Sequence, residues 1–301
     1  MNTNLKGYLF ALAAALFWGV GGVVAKFALN AGIEPIVLMK LRMGGAALLA
    51  LPVLLIFARP LLIIEKKDIF PLILLGALGV QLTQLAYFFA MNFAGVATAA
   101  FLLYLAPVYV AVFAVLSGSE RLGRLKIIVL LISIVGGGCI AFAGGGGNVG
   151  FIGVIFGAVS GLSYAFGTVF GGRFSRKYSP YTVVFYSTAV AGICSLLTPP
   201  YDLMIDTWLT LPWWIPFYIA VLFCIVPYSL FYTAMRFLPV TSVSIVCNLE
   251  PVLASVGAFV ILGEPLLFFQ IVGGALIIGA VLLLQTAGKV AVRKFSAKSK
   301  N

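Results

Sequence analysis

The sequence predicts an all-α polytopic membrane protein, with ten transmembrane helices arranged as two inverted five-helix repeats. Three observations predict it. Hydrophobic residues make up 63% of the 301 positions, charged residues 9%, and the mean hydropathy is +1.17. A soluble domain is about 45–50% apolar and about 25% charged, so lipid must be the solvent for much of this chain. The apolar residues fall into runs of roughly 20, the length at which a helix crosses the hydrocarbon layer. The second half of the chain also repeats the first.

The runs follow one another with short polar or charged breaks. The first, 7–29, starts directly after Lys6. It is too long for a signal-peptide core and no cleavage site follows it, so it reads as an uncleaved helix. Pro35 opens the second run, 35–58, and Arg59, Lys66 and Lys67 follow it. The third and fourth runs are 69–91 and 95–116, and Arg121 and Arg124 precede the fifth, 125–142. Gly144 to Gly147 form a flexible link between the halves, placed at 1–146 and 147–301. The sixth run, 150–171, is followed by Arg173, Arg176 and Lys177, and Pro180 opens the seventh, 180–197. The last three are 212–235, 241–262 and 265–285, with a basic tail from Lys289 to Lys300. A β-barrel would show short alternating segments instead.

Basic residues orient the bundle, because cytoplasmic loops of membrane proteins collect Lys and Arg. With a cytoplasmic N-terminus, every Lys and Arg except Lys26, Lys40 and Arg42 falls on the cytoplasmic side. Both termini are then cytoplasmic, and the basic tail suits an anionic leaflet. The net charge of +11 fits that surface. No cluster interleaves basic and aromatic residues, which excludes nucleic acid as a partner.

Residues 87–120 align without a gap on residues 231–264, an offset of 144 with 10 identities in 34 positions. Pro107 and Glu120 match Pro251 and Glu264, and both pairs are 13 apart. Each repeat holds five runs. Five is odd, so the second copy enters the membrane upside down. Inverted repeats let two halves exchange roles and open one central site to alternate sides, as secondary carriers do.

The chain resembles the EamA family of the drug/metabolite transporter superfamily over essentially its whole length. The resemblance rests on the tract Leu249-Glu250-Pro251-Val252 followed by Leu262-Gly263-Glu264-Pro265. Its first-half echo is Ala106-Pro107-Val108 with Glu120, and Phe17-Trp18-Gly19 lies in the first run. Lys26 and Arg42 fall where the family often has basic residues. The echo has Ala106 where the second half has Glu250, so only one copy is charged. The resemblance implies a five-plus-five inverted fold in a bacterial or archaeal inner membrane. It also implies export of amino acids or related metabolites, driven by an ion or substrate gradient.

Glu250 is the carboxylate lying well inside a predicted span. It reads as a partner for a substrate amine or as a titrating proton site, or as half of an internal salt bridge to Arg42 or Lys26. Lys40 and Arg42 are two apart and cannot share a helix face, so at most one of them points to the cavity, Arg42 being favoured; snorkelling to the interface is the alternative for both and for Lys26. Repeat-related polar positions line both sides of a central cavity: Gln84 corresponds to Tyr228, and Tyr104 to Asn248. Gln81 shares a face with Gln84, and Tyr232 with Tyr228. Trp18, Ser160, Ser163 and Tyr164 lie on the first helices of the two halves. Interhelical hydrogen bonding is the alternative role for these groups. Glu120 and Glu264 read as helix-start charges on opposite faces. Gly153, Gly157 and Gly161, Gly136 to Gly138, and Gly273-Gly274 read as close-packing ridges.

Other chemistries lack their residues. The chain has no histidine. It also lacks a carboxylate pair within its spans, which argues against an enzyme. Its four cysteines, Cys139, Cys194, Cys224 and Cys247, sit singly in apolar runs and read as packing residues. The glycine link lacks the Lys-Ser/Thr of a phosphate loop. The expected partners are a small-molecule substrate, a coupling proton or ion, and the lipid bilayer. No cofactor is expected.

Overall fold

The computed structural model describes residues 3–30, 32–145, 150–198 and 219–298; its described elements are all helical. In order they are α1 Thr3–Asn30, α2 Pro35–Phe57, α3 Lys66–Leu74 and α4 Leu82–Tyr104. Then come α5 Ala106–Leu116, α6 Arg124–Ala141, α7 Phe151–Lys177 and α8 Pro180–Leu196. The last four are α9 Val226–Ala234, α10 Val240–Cys247, α11 Glu250–Leu262 and α12 Phe268–Lys298. A short 3₁₀ turn, Arg59–Leu62, follows α2, and π-helical turns Leu75–Gln81 and Val221–Ile225 lead into α4 and α9.

Among the described residues, seven helical stretches are long and apolar enough to cross a membrane. Two further apolar stretches, Pro180–Leu196 and Val221–Ala234, are shorter. The chain is therefore a multi-pass helical membrane protein. The count of seven differs from the ten runs of the sequence partly because Lys66–Leu116 is helical over 51 residues. Such a helix would be ~75 Å long if straight, over twice the hydrocarbon thickness. It is not straight. Gly95 takes φ +81°, a left-handed conformation that glycine tolerates and other residues resist, and α4 breaks there into two rods. Gly146, Gly147, the predicted start of the eighth run at 212–218, and Lys300 lie outside the described residues. The tail that the sequence reads as separate continues the helix of α12 to Lys298.

The repeat extends to irregularities that composition does not reveal. The last five residues of the first π-helical turn, 77–81, have as their counterpart, 144 residues later, the second one, 221–225. The break at Leu105 between α4 and α5 corresponds to the break at Leu249 before α11, and Gly95 corresponds to Pro239. In each half a proline, Pro107 or Pro251, occupies the first turn after the break, where its missing N–H costs nothing.

Polarity is that of a bundle solvated by lipid. Phe57, Leu116, Phe151 and Val260 are exposed, whereas Lys40, Gln81, Ser133, Ser160 and Thr168 are buried. Close helix approach replaces water exclusion as the source of cohesion. α12 meets α6 where Gly136 faces Gly273: a Cβ at either would stand 2.7 or 2.4 Å from the other's carbonyl oxygen. The turn before α4 meets α7 at Gly79 and Gly167, again backbone to backbone.

The basic breaks gather at one end of the bundle. Lys177 pairs with Glu65 and Asp68, and the Tyr178 hydroxyl donates to Asp68 and accepts the Glu65 N–H. Hydrogen bonds from Lys177 and Lys67 hold the Glu65 carboxyl below its ordinary range. Arg173 donates to the Ser117 carbonyl and Arg176 to that of Met235. Gly7, near the start of α1, packs on Phe237 and Leu238 at this same end. At the far end of α1, about 28 Å away for 19 residues of helix, Lys26 pairs with Glu264 at 2.6 Å. Each cysteine is free, with Cys224 and Cys247 buried.

Candidate functional site

Glu250 reaches the interior because two local breaks put it there. The chain bends at Asn248 and Leu249, and Pro251 then restarts a helix as α11. The carboxylate sits in the first turn of that helix, where the positive end of the dipole favours an anion. Gly19 lets α1 approach closely: a Cβ there would stand 2.6 Å from Leu253 Cβ and 3.1 Å from the Glu250 carbonyl oxygen.

Glu250 and Arg42 line one cavity of about 110 Å³, enclosed by α1, α2, the π-helical turn before α9, and α11. Trp18, Gly22, Ala25 and Phe223 supply the rest of the wall on which the chemistry depends. The space is roomy enough for several ordered waters. Arg42 spends one donor, Nη2, on the Phe223 carbonyl at 3.3 Å. Its buried Nε has no hydrogen-bond partner among the described residues. The described ion pairs all lie elsewhere, so Glu250 and Arg42 interact electrostatically without closing a salt bridge. The salt bridge weighed from the sequence, to Arg42 or Lys26, is thus not formed: Lys26 is committed to Glu264.

The phenols of Tyr87, Tyr104, Tyr164 and Tyr228 all lie within electrostatic reach of Glu250. Residues of both halves therefore converge on one carboxylate. An aromatic wall stands beside it. Trp18 makes edge contacts with Tyr228 at 5.3 Å and Phe231 at 5.2 Å, Tyr164 lies 6.1 Å from Phe231, and Tyr232 lies 6.2 Å from Tyr228.

The remaining sequence-selected residues divide. Tyr232 is buried against Gly171, where a Cβ would stand 2.3 Å from its ring. Gln84 is half-buried on α4. Gln81 is buried in the π-helical turn, and neither side-chain polar atom has a partner among the described residues. Lys40 turns away from the cavity to the Thr198 carbonyl. Ser160 donates to the Thr83 carbonyl at 2.8 Å, an interhelical tie.

Asn248 is held in a helix joint. Its Nδ2 donates to the Tyr104 carbonyl at 3.2 Å and to Ser133 Oγ at 3.0 Å. Tyr104 is its own repeat counterpart, so the axis relating the halves passes through this contact. Asn248→Ala leaves two buried acceptors unsatisfied and is expected to lower unfolding stability by about 1–3 kcal/mol. Ser133→Ala, which removes one of the two, is expected to have the smaller effect in the same detergent melting experiment.

Sequence reasoning missed Tyr87, Phe231 and Phe223. A signal existed for two of them: Tyr87 and Phe231 are repeat counterparts, and each stands three residues after a selected position, Gln84 or Tyr228. Nothing in the sequence marks Phe223, because only the packing of the turn before α9 brings its ring to the cavity.

The sequence profile of the EamA-like transporter family matches the chain twice, over residues 5–142 and 151–286. An uncharacterized transporter of Archaeoglobus fulgidus is 36% identical over 205 residues, covering 67% of this chain and 72% of that one. The Bacillus subtilis transporter YvbV is 26% identical over 287 residues, with 91% and 90% covered. The Salmonella typhimurium inner membrane transporter YicL is 24% identical over 297 residues, with 94% and 96% covered. One crystal structure superposes with a TM-score of 0.77 at 18% identity, covering 93% of this chain and 96% of its own, a likeness of fold alone. With family matches in both halves and the two-repeat architecture in the fold, the chain belongs to the EamA-like transporter family.

Proposed function

We propose that this protein is a secondary transporter that exports a small zwitterionic metabolite, an amino acid or a related solute, by alternating access. The observation that carries the reading is the pairing of Arg42 with Glu250 in one cavity without a closed salt bridge. An unspent guanidinium donor suits a carboxylate, and an unspent carboxylate suits an ammonium group. The two charges come from different halves, so relative movement of the halves changes the site.

Ten spans fit this reading. The 51-residue stretch divides at Gly95 into two crossings, and the two shorter apolar helices supply two more. Both termini then lie in the cytoplasm and the bundle in the inner membrane, a reading that the basic loops gathered at one end support. The chain carries out no chemical conversion of its cargo.

The test is counterflow in proteoliposomes preloaded with a mixed amino-acid pool. Uptake of at least one labelled amino acid, competed by its unlabelled form, is expected. A well-folded protein that takes up none of them overturns the substrate class. The aromatic wall of Trp18, Tyr228 and Phe231 favours a second reading, a cationic or aromatic solute stacked on those rings. Counterflow of a tetraalkylammonium or aromatic cation in place of amino acids would select it.

A further inference from the structure

We propose that Glu120 and Glu264 are reciprocal latches that hold the two ends of the bundle shut in alternate states. The inference rests on the alternating-access reading and concerns its switch rather than its substrate.

The two glutamates are repeat counterparts, 144 residues apart, and they lie at opposite ends of α1. Yet they occupy different situations. Glu120 follows α5 and reaches across to the second half. Its Oε1 accepts the backbone N–H of Thr241 at 3.1 Å, in the first turn of α10. Its Oε2 accepts Lys126 Nζ at 2.7 Å. The Glu120 side chain is only 9% exposed. The void behind it, lined by Ser119, Val169, Arg173, Arg176 and Val240, measures about 20 Å³. Glu120 joins the two halves at this end, beside that small void.

Glu264 is 44% exposed, and its described partner is Lys26, itself 46% exposed. The counterpart of the Thr241 amide is that of Ala97, just beyond the Gly95 break where the second rod of α4 begins. No hydrogen bond joins Glu264 to that segment among the described residues. The 110 Å³ cavity runs along α1 from Trp18 to Ala25, the residue before Lys26. The same sequence element is thus engaged at the end where the void is small and disengaged at the end toward which the substrate cavity runs.

Inverted repeats supply the consequence. Exchanging the conformations of the halves exchanges the environments of the two glutamates. In the opposite state Glu264 leaves Lys26 and accepts the Ala97 amide, while Glu120 releases Thr241. Each latch is a charge-assisted hydrogen bond from a carboxylate to the first turn of a helix in the other half. Lys126 holds Glu120 while that latch is engaged, Lys26 holds Glu264 while that one is released, and a bond made at one end is matched by one broken at the other.

The test is hydrogen–deuterium exchange of the full chain in lipid nanodiscs, comparing wild type with Glu120→Ala and Glu264→Ala. Glu120→Ala is expected to raise exchange at residues 238–243 and to lower it at residues 95–99. The population shift is roughly tenfold, the factor that a charge-assisted hydrogen bond is worth. Glu264→Ala is expected to do the reverse, protecting 238–243 further. Faster exchange confined to the mutated end, with no protection at the other, overturns the proposal, because a simple local staple behaves that way. Unchanged exchange at both ends overturns it as well. If Glu120→Ala does not fold, Glu120→Gln keeps the shape, weakens the bond and must shift both ends in the same directions. Wild-type counterflow is run alongside. Intact counterflow without reciprocity sinks the latch alone, whereas reciprocity without amino-acid counterflow sinks the substrate reading alone.

Discussion

Glu250→Gln is expected to lower amino-acid counterflow by about 100-fold while leaving the protein folded. The substitution keeps the shape of the side chain and removes its charge. The substrate ammonium then loses its anionic partner in a site shielded from bulk water, where losing one member of a buried charge pair costs about 2–5 kcal/mol. About 3 kcal/mol corresponds to the stated factor. The fold is spared because Glu250 closes no salt bridge, and Pro251 stands in the first turn of α11 in either case. Glu250→Asp keeps the charge on a shorter arm and is expected to retain intermediate activity. The measurement is initial counterflow rate in proteoliposomes at matched protein orientation, with detergent melting as the control for folding. Equal rates for wild type and Glu250→Gln would demote Glu250 to a structural role and move the ammonium site to the aromatic wall.

The largest effect on stability is expected at the contact of α6 with α12. Gly136 and Gly273 face one another with their backbones almost touching. A side chain at Gly273 meets backbone first, the Gly136 carbonyl oxygen at 2.4 Å, which cannot turn aside as the end of a side chain can. Gly273→Leu is therefore expected to cost at least about 3 kcal/mol, the upper end of ordinary overpacking, and to abolish folded expression or lower the melting temperature sharply. Gly279 on the same helix is the control. A Cβ there meets nothing within 4 Å, so Gly279→Ala is expected to be neutral or stabilising by up to about 1 kcal/mol. Comparable melting temperatures for Gly273→Leu and wild type would show that the helices separate freely at this contact.

Some of this was legible in the residues. Apolar runs of spanning length, basic breaks and a 144-residue repeat point to a helical membrane bundle with two related halves. Arg42 was separable from Lys40 because residues two apart on a helix face different ways, and in the fold Arg42 lines the cavity while Lys40 reaches the Thr198 carbonyl. These features are periodic or compositional, and periodicity survives without knowledge of neighbours.

What the residues left undecided depends on partners distant in the chain. Asn248 and Tyr104 looked like matched cavity groups. Contact across the axis instead ties the Asn248 amide to the Tyr104 backbone and Ser133. Glu120 and Glu264 looked like equivalent helix-start charges, yet one reaches across to Thr241 and the other holds Lys26, partners far away in the chain. The two π-helical turns interrupt runs that composition reads as single straight helices. Sequence carries the symmetry of the two halves, since both descend along the chain in the same order. Only packing breaks that symmetry, because repeat-related residues meet different neighbours in the fold, Glu120 the Thr241 amide and Glu264 the Lys26 ammonium.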